Sequence, residues 1–258
     1  MRQRRCRQEG DGPLNVTLLI PTLNEIIGMR AVMPLVRREW FSQILVVDGN
    51  STDGTAEYAR EQGYEVYIQK RPGLRSAYQE SWPLIRGDSV ITFSPDGNSP
   101  PEYIPALIGK FQEGHEMVIG SRYAPGAGSE DDDLVTAFGN WLFTFVINRL
   151  FRARYTDAMT IYRIYPTSLF YELGLDRDDT YAPYEKLFHT RIGVEPILSA
   201  RFAKAGLSCA DIPCPEPPRI GGERKLQIVR WGLAYMAQIF HERLSRTRYP
   251  LEPGQCFR

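Results

Sequence analysis

The sequence predicts an α/β protein: a mostly parallel, twisted sheet with helices on both faces. Three observations predict it. Short β-branched runs alternate with helix-length patterns through the first half of the chain. The runs are apolar throughout rather than at every second residue, as in strands buried on both faces. A polar, turn-forming cluster then follows most of the runs, where ligands of open α/β sheets bind. The strand candidates are 16–20, 44–47, 65–68, 89–93 and 117–119, and the helix candidates are 25–39, 54–62, 74–85 and 102–112. Asp53 stands where it can cap the second helix.

The 258 residues suffice for one large domain. With 31 basic and 31 acidic side chains there is no cationic excess for a nucleic-acid partner, and none is expected. Four cysteines and three histidines lack metal-ligand spacing, which argues against structural zinc and suits a reducing cytoplasm. No stretch has eighteen consecutive apolar residues. The nearest, 134–148, reads as a buried or interfacial helix.

The pattern changes after residue 123. A Gly-rich loop at 124–129 and an acidic run at 130–133 precede a long helix at 134–150. A strand-like segment at 156–165, a helix near 184–191 and a strand at 207–212 follow. A Pro-rich turn then leads to an amphipathic helix at 223–244, with Leu226, Val229, Leu233, Met236, Ile239 and Phe240 on one stripe. That stripe reads as core packing or a homodimer face, and its Trp231, Tyr235 and flanking arginines also suit peripheral membrane contact. The expected organisation is a disordered basic tail at 1–13, a ligand-binding half at 14–123, a second half of the same domain at 124–221, and the C-terminal helix and tail at 222–258.

Four clusters end strands on one sheet edge: Pro21-Thr22-Leu23-Asn24-Glu25, Asp48 to Gly54, Ser94 to Asn98, and Gly120-Ser121-Arg122-Tyr123. Together they offer acceptors for a base and ribose, a carboxylate for a divalent cation and a guanidinium for phosphate. That is a nucleoside-diphosphate site without a Walker loop, since no G-x-x-x-x-G-K is present.

In this order and spacing the clusters resemble glycosyltransferase family 2, the GT-A fold, and within it the polyprenol-phosphate branch. Further matches are Arg71-Pro-Gly-Leu74, Asp96-Gly-Asn98, the Asp157 to Tyr165 segment and Arg219 to Leu226. The resemblance implies a metal-dependent inverting transferase using a UDP- or GDP-sugar, with a polyprenyl phosphate or glycan acceptor. It would be cytoplasmic or peripheral on the inner membrane face. Pro21, Thr22, Asn24, Glu25 and Asp48 would hold base and ribose, and Asp53 would organise its loop. Asp96 and Asn98, with Gly97 between them, would hold Mg²⁺ or Mn²⁺; the family's second acid is here an amide, which lowers charge but keeps an oxygen.

Arg75 replaces a glycine of the branch and is expected as an extra phosphate-facing cation. Arg122 is expected on phosphate, and Arg163, Arg219 and Lys225 are candidates for an anionic acceptor. Asp157 is the candidate base should the acceptor be a hydroxyl. The branch's arginine before the long helix falls near Ala137, and its membrane helices do not appear. A transferase acting on a soluble hydroxyl, a weakened nucleotide-sugar-binding protein and a sugar nucleotidyltransferase are the competing readings; the last lacks its Gly-rich, cationic first loop.

Overall fold

A computed structural model describes residues 14–221 and 228–249. The basic tail at 1–13, Leu226 of the C-terminal stripe and Lys225 lie outside the described residues. In chain order the elements are β1 (Val16–Thr22), α1 (Ile26–Val32), β2 (Gln43–Asp48), α2 (Thr55–Glu61), β3 (Glu65–Ile68), α3 (Leu74–Ser81), β4 (Ser89–Thr92), α4 (Ile104–Gln112) and β5 (Met117–Ser121). There follow α5 (Leu134–Phe151), β6 (Arg163–Pro166), α6 (Leu169–Glu172), α7 (Ala182–Phe188), α8 (Glu195–Lys204), β7 (Cys209–Pro213) and α9 (Ile228–Leu244).

The seven strands form one sheet in the order β3-β2-β1-β4-β6-β5-β7, parallel except for β6, which runs antiparallel to both neighbours. Both faces are buried, and successive residues alternate between them. On β1, Leu18 and Ile20 face a core built with Met29, Val32, Leu107 and Phe111, while Leu19 faces the opposite core. In that second core Trp82 stacks on Phe170, ring centroids 4.0 Å apart, beneath Ile197, Leu198 and Ile239. Fully burying one such side chain contributes about 1.5–3 kcal/mol, so neither face can be traded for solvent.

The departures from expectation have local causes. The helix expected over 25–39 stops at Val32 and continues as 3₁₀ turns, because Pro34 cannot extend an α-helix. The strand expected over 156–165 is reduced to Arg163–Pro166, since the Asp157 carboxylate draws the preceding backbone into turns through Met159 N and Thr160 N. Helix α8 was not foreseen: it is buried on nearly every side, so it carries no amphipathic period. On α9 the inward residues are Ala234, Tyr235, Gln238, Ile239 and Glu242, whereas Val229, Leu233 and Phe240 are exposed. The expected single stripe is therefore divided, because Glu242 turns inward to meet Arg201 and Lys204.

Candidate active site

The carboxyl ends of β1, β2, β4 and β5 bring the four polar clusters to one edge. Two loops are tied to each other without an ion pair. Asn24, at φ 57°, donates its N–H to Ser51 Oγ (2.8 Å), and its Oδ1 accepts from Thr52 N (2.8 Å). Glu25 N donates to Thr55 Oγ1 (3.0 Å). Asp48, the buried last residue of β2, accepts from Ser51 N at 2.9 Å and from the Thr22 hydroxyl at 3.5 Å. Asp53 organises the turn as expected, accepting from Thr55 N and Ile26 N. Burial pushes its carboxyl up, but these bonds outweigh burial and hold it below its ordinary value. Helix α1 sits low over the next cluster, since a Cβ at Gly28 would lie 2.4 Å from Pro95 O.

The Asp96-Gly97-Asn98 triad follows β4. Asp96 accepts Asn98 N at 3.1 Å and pairs with Arg219 Nη1 at 2.8 Å. Gly97 has φ 95°, and a Cβ there would meet Ile220 at 2.8 Å. The segment 219–221 thus lies directly on the triad, and Ile220 N donates to Asp96 O (2.6 Å). Asn98 donates to Asp131 Oδ2 (2.9 Å), and its own Oδ1 is buried without a hydrogen-bond partner.

Arg122, after β5, meets three carboxylates: Asp157 (2.7 Å), Glu216 (3.4 Å) and Asp132 (3.8 Å). Burial alone would lower its pKa, but Asp157 and Glu216 outweigh burial and raise it. Asp157 is fully buried and accepts from both sides of that guanidinium and from Met159 N and Thr160 N. Burial raises its pKa; Arg122 and the Met159 N–H more than reverse this. Glu216, also accepting from the Ser129 hydroxyl, has its pKa raised by burial despite Arg122.

Several expectations are corrected by this geometry. Asp157 is fully buried and its carboxylate is paired with Arg122, with Oδ1 also held by Met159 N and Thr160 N, so it is not placed to act as a base. Arg163 does not reach the site: it is 1% exposed, with its guanidinium on Thr160 O, Ala158 O and Ser199 Oγ. Arg75 does not face the site loops as a free cation, because Asp178 and Glu185 hold it at 2.8 Å each over the Tyr181 ring. Arg122 balances protein carboxylates rather than standing free for phosphate. In the acidic run at 130–133, Asp131 and Asp132 join the cluster, and Asp133 caps α5 in a capping box with Thr136. Glu216 is the member that sequence reading missed, hinted at only by its proximity to the Arg219 motif; the acidic run with Asp131 and Asp132 stood in the sequence as a second candidate for a base.

Among the described residues the cluster sets five carboxylates (Asp96, Asp131, Asp132, Asp157, Glu216) against two guanidiniums (Arg122, Arg219). An excess of buried negative charge beside an orphaned amide oxygen fits a divalent cation. No group of three or more His, Cys, Asp or Glu among the described residues is arranged to hold a metal by itself. Asp96 and Asn98 would therefore be protein ligands of an ion whose remaining partners come with a substrate.

The glycosyl transferase family 2 signature matches residues 17–174, spanning every one of these strand ends. The chain is a family 2 glycosyltransferase. Its fold is GT-A, with β6 as the reversed strand. The transferase is 28% identical over 244 residues to glycosyltransferase AglJ of Haloferax volcanii, covering 93% of this chain and 75% of that protein. It is 27% identical over 241 residues to an undecaprenyl-phosphate mannosyltransferase of Micrococcus luteus, covering 86% and 95%. A glucosyl-3-phosphoglycerate synthase from Mycobacterium tuberculosis, solved with Mn²⁺, UDP and glucosyl-3-phosphoglycerate, shares the fold. Its TM-score is 0.63 at 21% identity, over 89% of this chain and 80% of that one.

Proposed function

We propose that this glycosyltransferase is a metal-dependent, inverting enzyme that moves a sugar from a UDP- or GDP-sugar to a polyprenyl phosphate. The carrying observation is the enclosure of Asp157 by Arg122 and two backbone N–H groups. A hydroxyl acceptor needs a base, and the carboxylate best placed in sequence to be one is consumed. A phosphate monoester already presents an anionic oxygen at neutral pH and needs none. The named acceptor of the Micrococcus luteus relative supports the same reading.

On this reading Asp48 accepts from the nucleobase, while Pro21, Thr22, Asn24 and Glu25 wall the base and ribose. Asp96 and Asn98 would hold Mg²⁺ or Mn²⁺, which would supply charge neutralisation for a departing diphosphate. The acceptor oxygen forms its bond to the anomeric carbon as the sugar–diphosphate bond breaks on the opposite face, inverting configuration in one displacement. Arg219, paired with Asp96 of the triad, is the cation that would meet phosphate there. Such an enzyme would work at the cytoplasmic face of a membrane, in building a glycan precursor.

The test is thermal denaturation with UDP-, GDP-, CMP- and TDP-sugars, with and without Mn²⁺, followed by transfer assays on a polyprenyl phosphate and on soluble sugar alcohols. One nucleotide should stabilise the protein by mass action, more so with Mn²⁺, and the lipid phosphate should be glycosylated. Transfer only to the soluble alcohol would give the acceptor reading to a hydroxyl. Nucleotide binding without turnover would leave a binding protein.

A further inference from the structure

Helix α5 is apolar on the side that faces away from the protein. Its inner face, Asn140, Phe143, Thr144 and Ile147, is buried against the domain, with Thr144 Oγ1 accepting from Ala158 N. Its outer face carries Leu134 (90% exposed), Phe138 (59%), Trp141 (57%) and Phe145 (53%). These residues follow one another three or four apart, so they form one stripe. Phe138, Trp141 and Phe145 also lie ring against ring, with centroids 5.7 and 5.6 Å apart. The same stripe continues into Arg149 and Arg152, with Arg154 just beyond; all three are exposed.

We propose that this face of α5 seats in the surface of an anionic lipid bilayer and sets the active site beside it. Three observations select a bilayer over other occupants. Stacked Trp and Phe ending in arginines match the acyl boundary and anionic headgroups respectively, which is charge complementarity along one stripe. The helix cannot span: although its 18 residues are long and apolar enough, its inner face is packed on the domain. Asn148 fastens its C-terminal end to Tyr155. Held by its inner face, it lies in the surface plane. Lastly, its N-terminus leads directly to the site, since Asp131, two residues before the cap, bonds Asn98 of the triad. The surface deepens the lipid-phosphate reading and rests on it for the substrate it would present.

The experiment is flotation of the full chain with phosphatidylcholine vesicles, alone or mixed with phosphatidylglycerol, for the parent and the F138S/W141S/F145S variant. The parent should float with the anionic vesicles. The variant, whose changes are all on exposed positions, should keep its melting temperature and Mn²⁺-stimulated donor hydrolysis but lose partitioning at least about tenfold. R149Q/R152Q/R154Q should bind both vesicle types alike. A parent that ignores vesicles, or a variant that binds as the parent does, overturns the proposal. So does a parent dimer that dissociates on the triple serine change without vesicle binding, which would make a second copy the occupant. Vesicle binding without transfer to polyprenyl phosphate would uphold the docking face and overturn only the acceptor reading.

Discussion

Around β1 and β2, the site loops are joined by neutral hydrogen bonds among Asn24, Ser51, Thr52 and Thr55, residues whose short side chains bond nearby backbone. Around β4 and β5, the corresponding loops are joined by buried charges: Arg122 to Asp157, Glu216 and Asp132, and Arg219 to Asp96. The first arrangement fixes a shape, and its two carboxylates, Asp48 and Asp53, are held by backbone N–H groups and hydroxyls rather than by cations. The second has more anions than cations, so its geometry depends on protonation and on what cation is present. On the function proposed above, a nucleoside needs a preformed cradle and a diphosphate with its metal a responsive electrostatic environment, and the two halves of one sheet edge would divide these tasks.

The largest effect should come from breaking the charged half at its centre. Asp157→Ala leaves Arg122 buried without its main partner, which costs roughly 3–5 kcal/mol, a large share of the stability of a whole domain. Asp157→Asn keeps the shape and some of the hydrogen bonds and should cost less. Chemical denaturation of both variants checks this, with donor turnover measured per folded molecule. Turnover per folded molecule that stays at the parent value supports a structural role. A well-folded Asp157→Asn with no transfer at all would restore Asp157 as a base and unsettle the acceptor proposed here.

Asp96→Asn comes next. It removes the charged oxygen from the proposed metal pair, and stabilisation of a leaving group by a metal is worth several kcal/mol, on the order of 100-fold or more in rate. Isothermal titration should show Mn²⁺ binding lost in the presence of nucleoside diphosphate, while nucleotide binding without metal persists through the neutral half. Full metal-stimulated activity would reduce the triad to a turn.

The division also explains what the sequence revealed. Strands, sheet class and the turn after β2 were legible because they are written locally: Asp48 accepts from Ser51 N and Asp53 from Thr55 N within one short stretch. The charged half joins residues far apart, such as Arg122 with Glu216 and Asp96 with Arg219, and nothing in either segment names its partner. Arg163 illustrates the failure. A guanidinium in a strand motif reads as a ligand-binding group, yet it is enclosed by carbonyls of its own turn and by Ser199. Helix α8 escaped for the opposite reason, being covered too completely to show a polar face.

Arg219→Ala should have a divided outcome that sharpens the contrast. The guanidinium on Asp96 competes with any divalent ion for the same carboxylate, so its removal should tighten Mn²⁺ binding. Losing a charge-assisted contact to phosphate should at the same time slow transfer by about ten- to hundredfold. Titration calorimetry and initial rates read the two effects separately. Unchanged Mn²⁺ affinity would mean the pair does not shield the triad.

A smaller effect separates the halves by pH. Burial raises the Glu216 pKa, so its contribution to stability is complete below the unfolded value near 4.5 and is lost as pH rises through the raised folded value. Asp53, held low by hydrogen bonds, behaves oppositely: its contribution is present above the unfolded value near 3.8 and is lost as pH falls through the folded one. Glu216→Gln should therefore melt at or above the parent at pH 8, the difference shrinking toward pH 5. Each kcal/mol involved moves the melting temperature by about 2–4 °C. A difference that grows on acidification would contradict the burial argument.

The smallest expected effect is at Arg75, which lies on neither half. Its partners Asp178 and Glu185 and the ring of Tyr181 form a brace between α3 and the segment leading into α7. Asp178 is largely exposed, so that pair is weak; Glu185 and the ring are better shielded and carry most of the interaction. Arg75→Ala should thus lower stability by about 1 kcal/mol, seen as a modest fall in melting temperature. Arg75→Lys should recover little of it, because an ammonium cannot reproduce a fork that reaches two carboxylates at once. The decisive reading is nucleotide affinity, which should stay at the parent value in both variants. A tenfold weakening of nucleoside-diphosphate binding in Arg75→Ala, reversed by lysine, would place a free cation over the neutral half and end the division of labour between the two.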